Sequence, residues 1–316
     1  MSNSRWLTMT ILMLVAALGC GVLVVMYAVS LAKSPGFTQL VPNPYVQVQD
    51  YPFSLNHADC DVLIYGDSAA MTGLDPGTIE QQTHLKTCNI AQMRPVVALL
   101  GTIPIDLYLE KNKRPKYLVI QMSPETFFFD HGWEKVSTFE PIMLLLRQRS
   151  GTSTDWELVK HPLQTLRFAK TVLMDRYLPD HEVMAAYEQS YAHTVSDYYK
   201  SRGLLAIPKP PATKCQYGEF TADFPVDTKW IEDVRNKYSA LGIKVLVNVS
   251  AVPECDQGVA FYRRTLMPHV DDDLQIWPIT YFNESDRHFT PDGVKLISTA
   301  LSKQIEALEE QKAVAP

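Results

Sequence analysis

Asp61-Val-Leu-Ile-Tyr-Gly-Asp-Ser68 runs on as Ala-Ala-Met-Thr-Gly-Leu-Asp-Pro76, and this stretch decides the fold. Val62 to Tyr65 is short and continuously apolar, the pattern of a strand buried on both faces of a parallel sheet. Gly66 turns the chain and a helical stretch follows through Gln82. Two later runs repeat the pattern. Lys116-Tyr-Leu-Val-Ile-Gln-Met-Ser123 follows a helix ending in Lys-Asn-Lys-Arg, and Ile243-Lys-Val-Leu-Val-Asn-Val-Ser250 is the third strand. The helix before that third strand carries Trp230, Ile231, Val234, Tyr238 and Leu241 on one face, with Gly242 just past its end. The last helix opens on Thr290 as N-cap and Pro291 in its first turn; Val294, Ile297, Leu301, Ile305 and Leu308 form its apolar stripe. Such alternation predicts an α/β fold with a mostly parallel sheet and helices on both faces.

Upstream, Trp6 to Ala32 holds no charge and is rich in Leu, Val, Met and Ala. A run of that length spans a bilayer with some tilt and exceeds the apolar part of a cleaved signal peptide, about 7–15 residues. Ala17-Leu-Gly-Cys20 is a loose match to a lipid-attachment pattern, but the apolar stretch continues well past Cys20. The expectation is an uncleaved transmembrane anchor over 1–33. Arg5 and Lys33 flank it and leave its orientation open. Residues 34–57, with Pro35, Pro42, Pro44 and Pro52, read as an extended stalk or a wrapping segment. The α/β domain then occupies 58–316. Within it, 126–225 breaks the pattern: it is rich in aromatics (Phe127 to Phe129, Trp133, Trp156, Tyr187, Tyr191, Tyr198, Tyr199) and closes on Pro208-Lys-Pro-Pro211. It reads as a helical insertion, serving as a lid, a docking surface or an enlarged helical layer.

The formal net charge is −6, from 29 Lys and Arg against 35 Asp and Glu, with no basic run, so nucleic acid is excluded as a partner. No His and Cys spacing fits a metal site and no glycine loop fits a phosphate, so no cofactor is expected. Cys60, Cys88, Cys215 and Cys255 follow the anchor, an even number that permits disulfides in an oxidising compartment, with the pairing left open.

In open α/β sheets, ligands bind beyond the carboxyl ends of the strands. Ser68, Ser123 and Ser250 all sit there, but only Ser68 leads at once into a small-residue turn and a helix. That turn exposes the hydroxyl and aims backbone N–H groups at a developing oxyanion. Asp286-Arg-His288-Phe-Thr-Pro-Asp-Gly293, at the mouth of the last helix, supplies a base in His288 and an orienting acid in Asp286. The blander alternative is that Asp67 or Ser68 merely caps the next helix and His288 is a packed loop residue.

The Tyr65–Pro76 and Asp286–Gly293 blocks resemble the first and last blocks of the SGNH (GDSL-like) hydrolase superfamily, whose fold is flavodoxin-like. Within it the chain most resembles membrane-anchored proteins that accompany membrane-bound O-acyltransferases in acylating bacterial cell-surface polymers. Gly73 and Asp75-Pro76 after the serine, and Asn89-Ile-Ala followed by a helix and a strand ending in Ser123-Pro124, carry that finer likeness. It covers roughly Asp59 to Ser123 and Ile243 to the C-terminus and leaves the insertion unmatched. The resemblance implies Ser68 as nucleophile and His288 as base. The acid of many SGNH hydrolases falls on Ser285 here, whereas Asp286 matches the Asp-x-His spacing of alginate-acetylation relatives. The second-block glycine appears as Ala91 or is absent, and Gln121-Met-Ser-Pro124 lacks the third-block asparagine, so the implied oxyanion site rests on the Ser68 N–H plus a donor the sequence does not identify, with Ala91 as the candidate. The losses favour slow or specialised acyl transfer over a general esterase.

Function follows as an expectation: a serine O-acyltransferase or esterase moving an acetyl group to or from a cell-surface polysaccharide through acyl-Ser68. The implied partner is a polytopic membrane-bound O-acyltransferase. The implied location is the bacterial inner membrane, single-pass, with the domain in the periplasm or outside. A non-catalytic accessory subunit of the same fold, binding that acyltransferase or a glycan, is the alternative.

Overall fold

β1 (Val62–Gly66) is buried at every position and pairs on both sides, which is why its sequence is apolar without alternation. The computed structural model describes residues 3–34, 37, 41, 44–49, 51–128, 142, 156, 158–179, 181–207, 209–215, 222, 225–283 and 287–314. They fall into two units, Met1–Gln47 with Val136–Gln189, and Val48–Lys135 with Ser190–Pro316. The principal helices are α1 (Asn3–Ala32), α2 (Ser68–Gly73), α3 (Pro76–Thr83), α4 (Arg94–Leu100), α5 (Ile103–Lys111), α6 (Pro162–Tyr177), α7 (His181–Lys200), α8 (Thr228–Ser239), α9 (Val259–Thr265) and α10 (Pro291–Val314).

In the second unit, β1 stands between β2 (Thr87–Asn89) and β3 (Tyr117–Met122), and β3 pairs in turn with β4 (Lys244–Val249). All pairs are parallel, in the order β2-β1-β3-β4, with Ile64 opposite Asn89, Gly66 opposite Gln121 and Met122 opposite Val249. The chain leaves β1 toward β2 and returns across it to β3, so the strand order reverses at the carboxyl ends of β1 and β3. Open sheets place ligands at such a reversal.

Alternate residues serve the two faces. Leu63, Tyr65, Leu118, Ile120, Val245 and Val247 join a core with Val97 of α4, Ile105 and Tyr108 of α5, and Ile231, Val234 and Tyr238 of α8. On the other face lies α10, which buries Ile297, Leu301 and Ile305. It is tied down by Asn248 Nδ2 donating to Gln304 Oε1 at 2.7 Å, by Tyr117 Oη donating to Glu309, and by Asp75 N donating to Ser298 Oγ at 2.9 Å. The α/β sheet wrapped by helices is therefore as the sequence predicts. The stripe of α8 is also as expected, and Gly242 follows it at φ 80°.

β4 lies at the edge of the sheet, where unpaired N–H groups invite another strand. Asp271 Oδ2 accepts from Val247 N at 2.7 Å and Asp272 Oδ1 from Val249 N at 2.9 Å, which closes that edge. Burial raises the Asp272 pKa to about 7, against the backbone N–H of Val249, which lowers it. Cys60 pairs with Cys88, with Cα atoms 5.9 Å apart, and joins the entry of β1 to β2; Cys215 pairs with Cys255 at 6.0 Å. From the 34–57 segment, Tyr51 sets its ring edge-on against Tyr198 and Tyr199, with centroids 5.1 and 5.2 Å away. That end wraps onto the α/β unit.

In the first unit, α1 is long and apolar enough over Ser4–Ala32 to cross a membrane, and its apolar side chains are exposed. Parts of the 126–225 region, among them Phe129, Trp133 and Pro208, lie outside the described residues. Its described part includes α6 and α7, in agreement with a helical reading.

Candidate active site

Gly66 ends β1 where a side chain has no room: a Cβ there would stand 1.7 Å from Gln121 O. This close approach of β1 and β3 sets the next residue, Asp67, between the two strand ends. Asp67 is the N-cap of α2, in extended backbone geometry, and its Oδ1 accepts from Ala69 N at 2.9 Å. Its Oδ2 accepts from Ser123 N at 2.9 Å, from Ser123 Oγ at 2.5 Å and from Thr126 Oγ1 at 2.6 Å. A buried carboxylate with four donors is a fixed negative charge rather than a stray cap. Because Asp67 does the capping, the Ser68 hydroxyl is left for other work. Among the described residues nothing accepts from the Ser68 N–H, the first of the helix.

The expected base comes from 220 positions along the chain: His288 Nε2 lies 3.0 Å from Ser68 Oγ. Its segment is a tight return. Asn283 N donates to His288 O at 2.9 Å, Thr290 N to Tyr281 O at 2.9 Å, and Phe282 bridges to Phe289. Thr290 then caps α10, its Oγ1 accepting from Gly293 N at 3.3 Å, as the sequence predicts. Desolvation lowers the His288 pKa to about 4; the Asp67 carboxylate opposes this and the Lys209 ammonium adds to it. At neutral pH the imidazole is uncharged, the state in which a ring nitrogen accepts a hydroxyl proton.

The next residue back anchors the loop. Arg287, 9 % exposed, donates through Nε to Glu125 Oε1 at 2.7 Å and pairs through Nη2 with Asp256 Oδ2 at 2.9 Å. Tyr262 Oη also donates to Glu125 Oε1, at 3.2 Å. Glu125 follows directly on the Ser123-Pro124 corner that holds Asp67, so both sides of the Ser68–His288 pair hang from the end of β3. Sequence reading passed over Glu125, Asp256 and Arg287. The available signals were Arg287 inside the Asp286-Arg-His288 block and the lone Glu125 two residues after Ser123; Asp256 had none.

Asp286, the expected acid, lies outside the described residues. Ala91, the other expected oxyanion donor, is fully buried and its N–H donates to Asn89 Oδ1 at 3.0 Å. That hydrogen faces the asparagine side chain, and Asn89 in turn donates to Ala70 O and Leu74 O of the serine helix at 2.8 and 3.1 Å. Asn89 therefore braces α2 against β2. From the far end of the insertion, Arg202 O accepts from Asn89 N at 2.9 Å, and Leu205 N donates to Met71 O at 2.9 Å. Gly203 makes that contact feasible, with φ 113° and no side chain where a Cβ would meet Asn89 O at 1.9 Å. Among the described residues no group of His, Cys, Asp and Glu is arranged to hold a metal ion.

Comparison of the chain with protein-family models, curated proteins and solved structures finds no match. The chemistry of the site is read from its own groups.

Proposed function

We propose that this protein is a membrane-anchored serine acyltransferase or esterase of SGNH type, with Ser68 as nucleophile and His288 as general base. The observation that carries the reading is the 3.0 Å approach of His288 Nε2 to Ser68 Oγ at the point where the strand order reverses. His288 takes the hydroxyl proton as Ser68 Oγ attacks an acyl carbonyl, and the Ser68 N–H faces the oxygen on which charge develops. The tetrahedral intermediate collapses to acyl-Ser68 as the imidazolium gives its proton to the leaving group. An acceptor hydroxyl, deprotonated by the same nitrogen, then takes the acyl group. The fixed Asp67 charge favours the imidazolium formed midway, and Asp286 is assigned the orienting role at the histidine ring. The acyl group is acetyl, the acceptor a cell-surface polysaccharide, and the acyl source a polytopic membrane-bound O-acyltransferase. An anchor of α1's length and a pair of disulfides suit an exported domain held at the bacterial inner membrane.

A second reading has one observation in its favour. The N–H groups of Ala91 and Ser123 are both engaged, with Asn89 and Asp67, which among the described residues leaves the Ser68 N–H as the donor at hand. A site so sparsely provided suits an accessory subunit that keeps the fold and binds a partner or glycan without chemistry. Intact-mass analysis after treatment with an activated acetyl ester and a fluorophosphonate separates the two. The enzyme reading expects one adduct, on Ser68, absent in His288→Ala; no adduct on folded protein leaves the accessory reading standing.

A further inference from the structure

α6 buries Thr165, Phe168, Ala169 and Val172. Its other side should be polar if it faced water. Instead it carries Leu163, Leu166, Met174 and Tyr177, which are 68, 53, 43 and 54 % exposed. Exposed cations, Arg167 and Lys170, stand among them. Over the whole helix three cations, with Arg176, face one anion, Asp175.

This apolar side is continuous with α1. Val24 and Val25 of α1 and Leu166, Leu173 and Met174 of α6 line one groove of about 480 Å³. Tyr27 Oη and Tyr177 Oη share a hydrogen bond. Trp6 and Tyr27 are the aromatic residues toward the two ends of α1, and 21 positions at 1.5 Å each set them about 32 Å apart. That matches a hydrocarbon core of about 30 Å, and Trp and Tyr are the residues that settle at its two boundaries. With Trp6 at one boundary, Tyr27 lies at the other, and α6 meets α1 there.

We infer that α6 is an interfacial helix that lies in the headgroup region beside the exit of α1. Its Leu163, Leu166, Met174 and Tyr177 enter the acyl boundary, while Arg167 and Lys170 reach up to anionic phosphates. The occupant is lipid rather than a partner helix, because cations set within an apolar stripe match the phosphate layer and would be stranded in a protein seam. The inference rests on α1 spanning the membrane.

The test uses the full chain with Cys20→Ser, which removes the exposed free thiol, reconstituted in phosphatidylcholine vesicles containing one quarter phosphatidylglycerol. An environment-sensitive fluorophore is placed in turn at Leu163→Cys, Met174→Cys, Val15→Cys in mid-α1 and Lys303→Cys on α10. The expected result is blue-shifted emission at 163 and 174, quenched by nitroxides near the headgroup. Position 15 is quenched by nitroxides at the bilayer centre, and position 303 only by aqueous iodide. Iodide quenching at 163 and 174 while 15 answers to the bilayer centre overturns the interfacial helix and leaves the anchor intact. Quenching there by neither reagent marks a face covered by protein and overturns it equally. If position 15 escapes the central nitroxide, the spanning reading of α1 falls first.

Discussion

Asp67→Asn separates a helix cap from the centre of a buried network. The carboxylate is 1 % exposed, and each of its oxygens faces a backbone N–H that cannot rotate away: Ala69 N at Oδ1 and Ser123 N at Oδ2. Asparagine offers one acceptor oxygen, so in either flip its NH₂ group is set against one of those donors. The Ser123 and Thr126 hydroxyls can turn to other partners; the amide cannot. One buried N–H left without an acceptor costs about 1–3 kcal/mol, and neutralising the remaining bonds adds about 1 kcal/mol. The total is roughly 2–4 kcal/mol, which for a domain of this size corresponds to about 10 °C in Tm.

The assay is thermal unfolding of the full chain in detergent, followed by intrinsic fluorescence, with Ser123→Ala as the comparison. That variant removes one hydroxyl but keeps both backbone donors, so it is expected to lose only about 1 kcal/mol. Equal losses in the two variants, or a Tm for Asp67→Asn within a degree of the parent, would refute the accounting. Fluorophosphonate labelling gives an independent readout. With the negative charge gone, the His288 pKa moves below about 4 and labelling of Ser68 slows.

The pH profile of labelling is expected to hold down to about pH 5 and fall with a midpoint near 4, where buried His288 protonates; a midpoint near 6.5 would place the ring in water. Whole-protein stability hides this titration. Between about pH 6.5 and 4 the unfolded chain takes up a proton that folded His288 refuses, so this contribution is full above 6.5 and falls by roughly 3 kcal/mol on acidification. Asp272 acts with opposite sign: its folded pKa of about 7 against 3.8 gives stability that is full below 3.8 and is lost as pH rises to 7. Asp272→Asn keeps an acceptor for Val249 N, so it should raise Tm at pH 8 and unmask the His288 slope; unchanged Tm at pH 8 would put the carboxyl in solvent. Arg287→Met leaves Glu125 and Asp256 buried without their cation, a loss of about 3–5 kcal/mol. Adding Glu125→Gln should recover part of that loss by double-mutant analysis, and strict additivity would dissolve the triad.

Strand identity was legible because burial on both faces leaves a sheet strand almost continuously apolar, broken here only by residues such as Gln121, Lys244 and Asn248. Val62–Tyr65, Lys116–Ser123 and Ile243–Ser250 all became strands to within a residue. β2 was illegible: Thr87-Cys-Asn89 is too short and polar for a pattern, and it pairs because Cys60–Cys88 and the Arg202 carbonyl hold it beside β1. The serine and the histidine stood out through their local contexts, a strand end and a helix mouth. What surrounds them did not, because Asp67 read as a helix cap and Glu125, Asp256 and Arg287 read singly as surface charges. Their burial exists only once β3, the α9 region and the loop before α10 converge. The role of Asn89 was hidden for a related reason: a polar residue at a strand end signals a turn, and only the packed structure shows it bracing α2 and occupying the Ala91 N–H.

The economy of donors at Ser68 and the length of α1 bear on each other. Each oxyanion donor withheld lowers an acyl-transfer rate by about 10²–10³. The N–H groups of Ala91 and Ser123 are directed elsewhere, so the proposed chemistry at Ser68 would turn over slowly, and a diffusing esterase built this way would be poor. A tether changes the requirement. Confinement beside a membrane-held acyl donor raises its effective concentration to the millimolar range, so encounter no longer limits and a modest chemical step is enough. Under the proposed function slow hydrolysis would be an advantage, since an acyl-Ser68 that water attacks reluctantly would survive until an acceptor hydroxyl arrives. This predicts that detaching the domain from α1, by cleavage before Val48, leaves fluorophosphonate labelling of Ser68 unchanged while acceptor modification in membranes collapses. Parallel loss of both would mean that α1 supports the fold of the site rather than its supply of substrate.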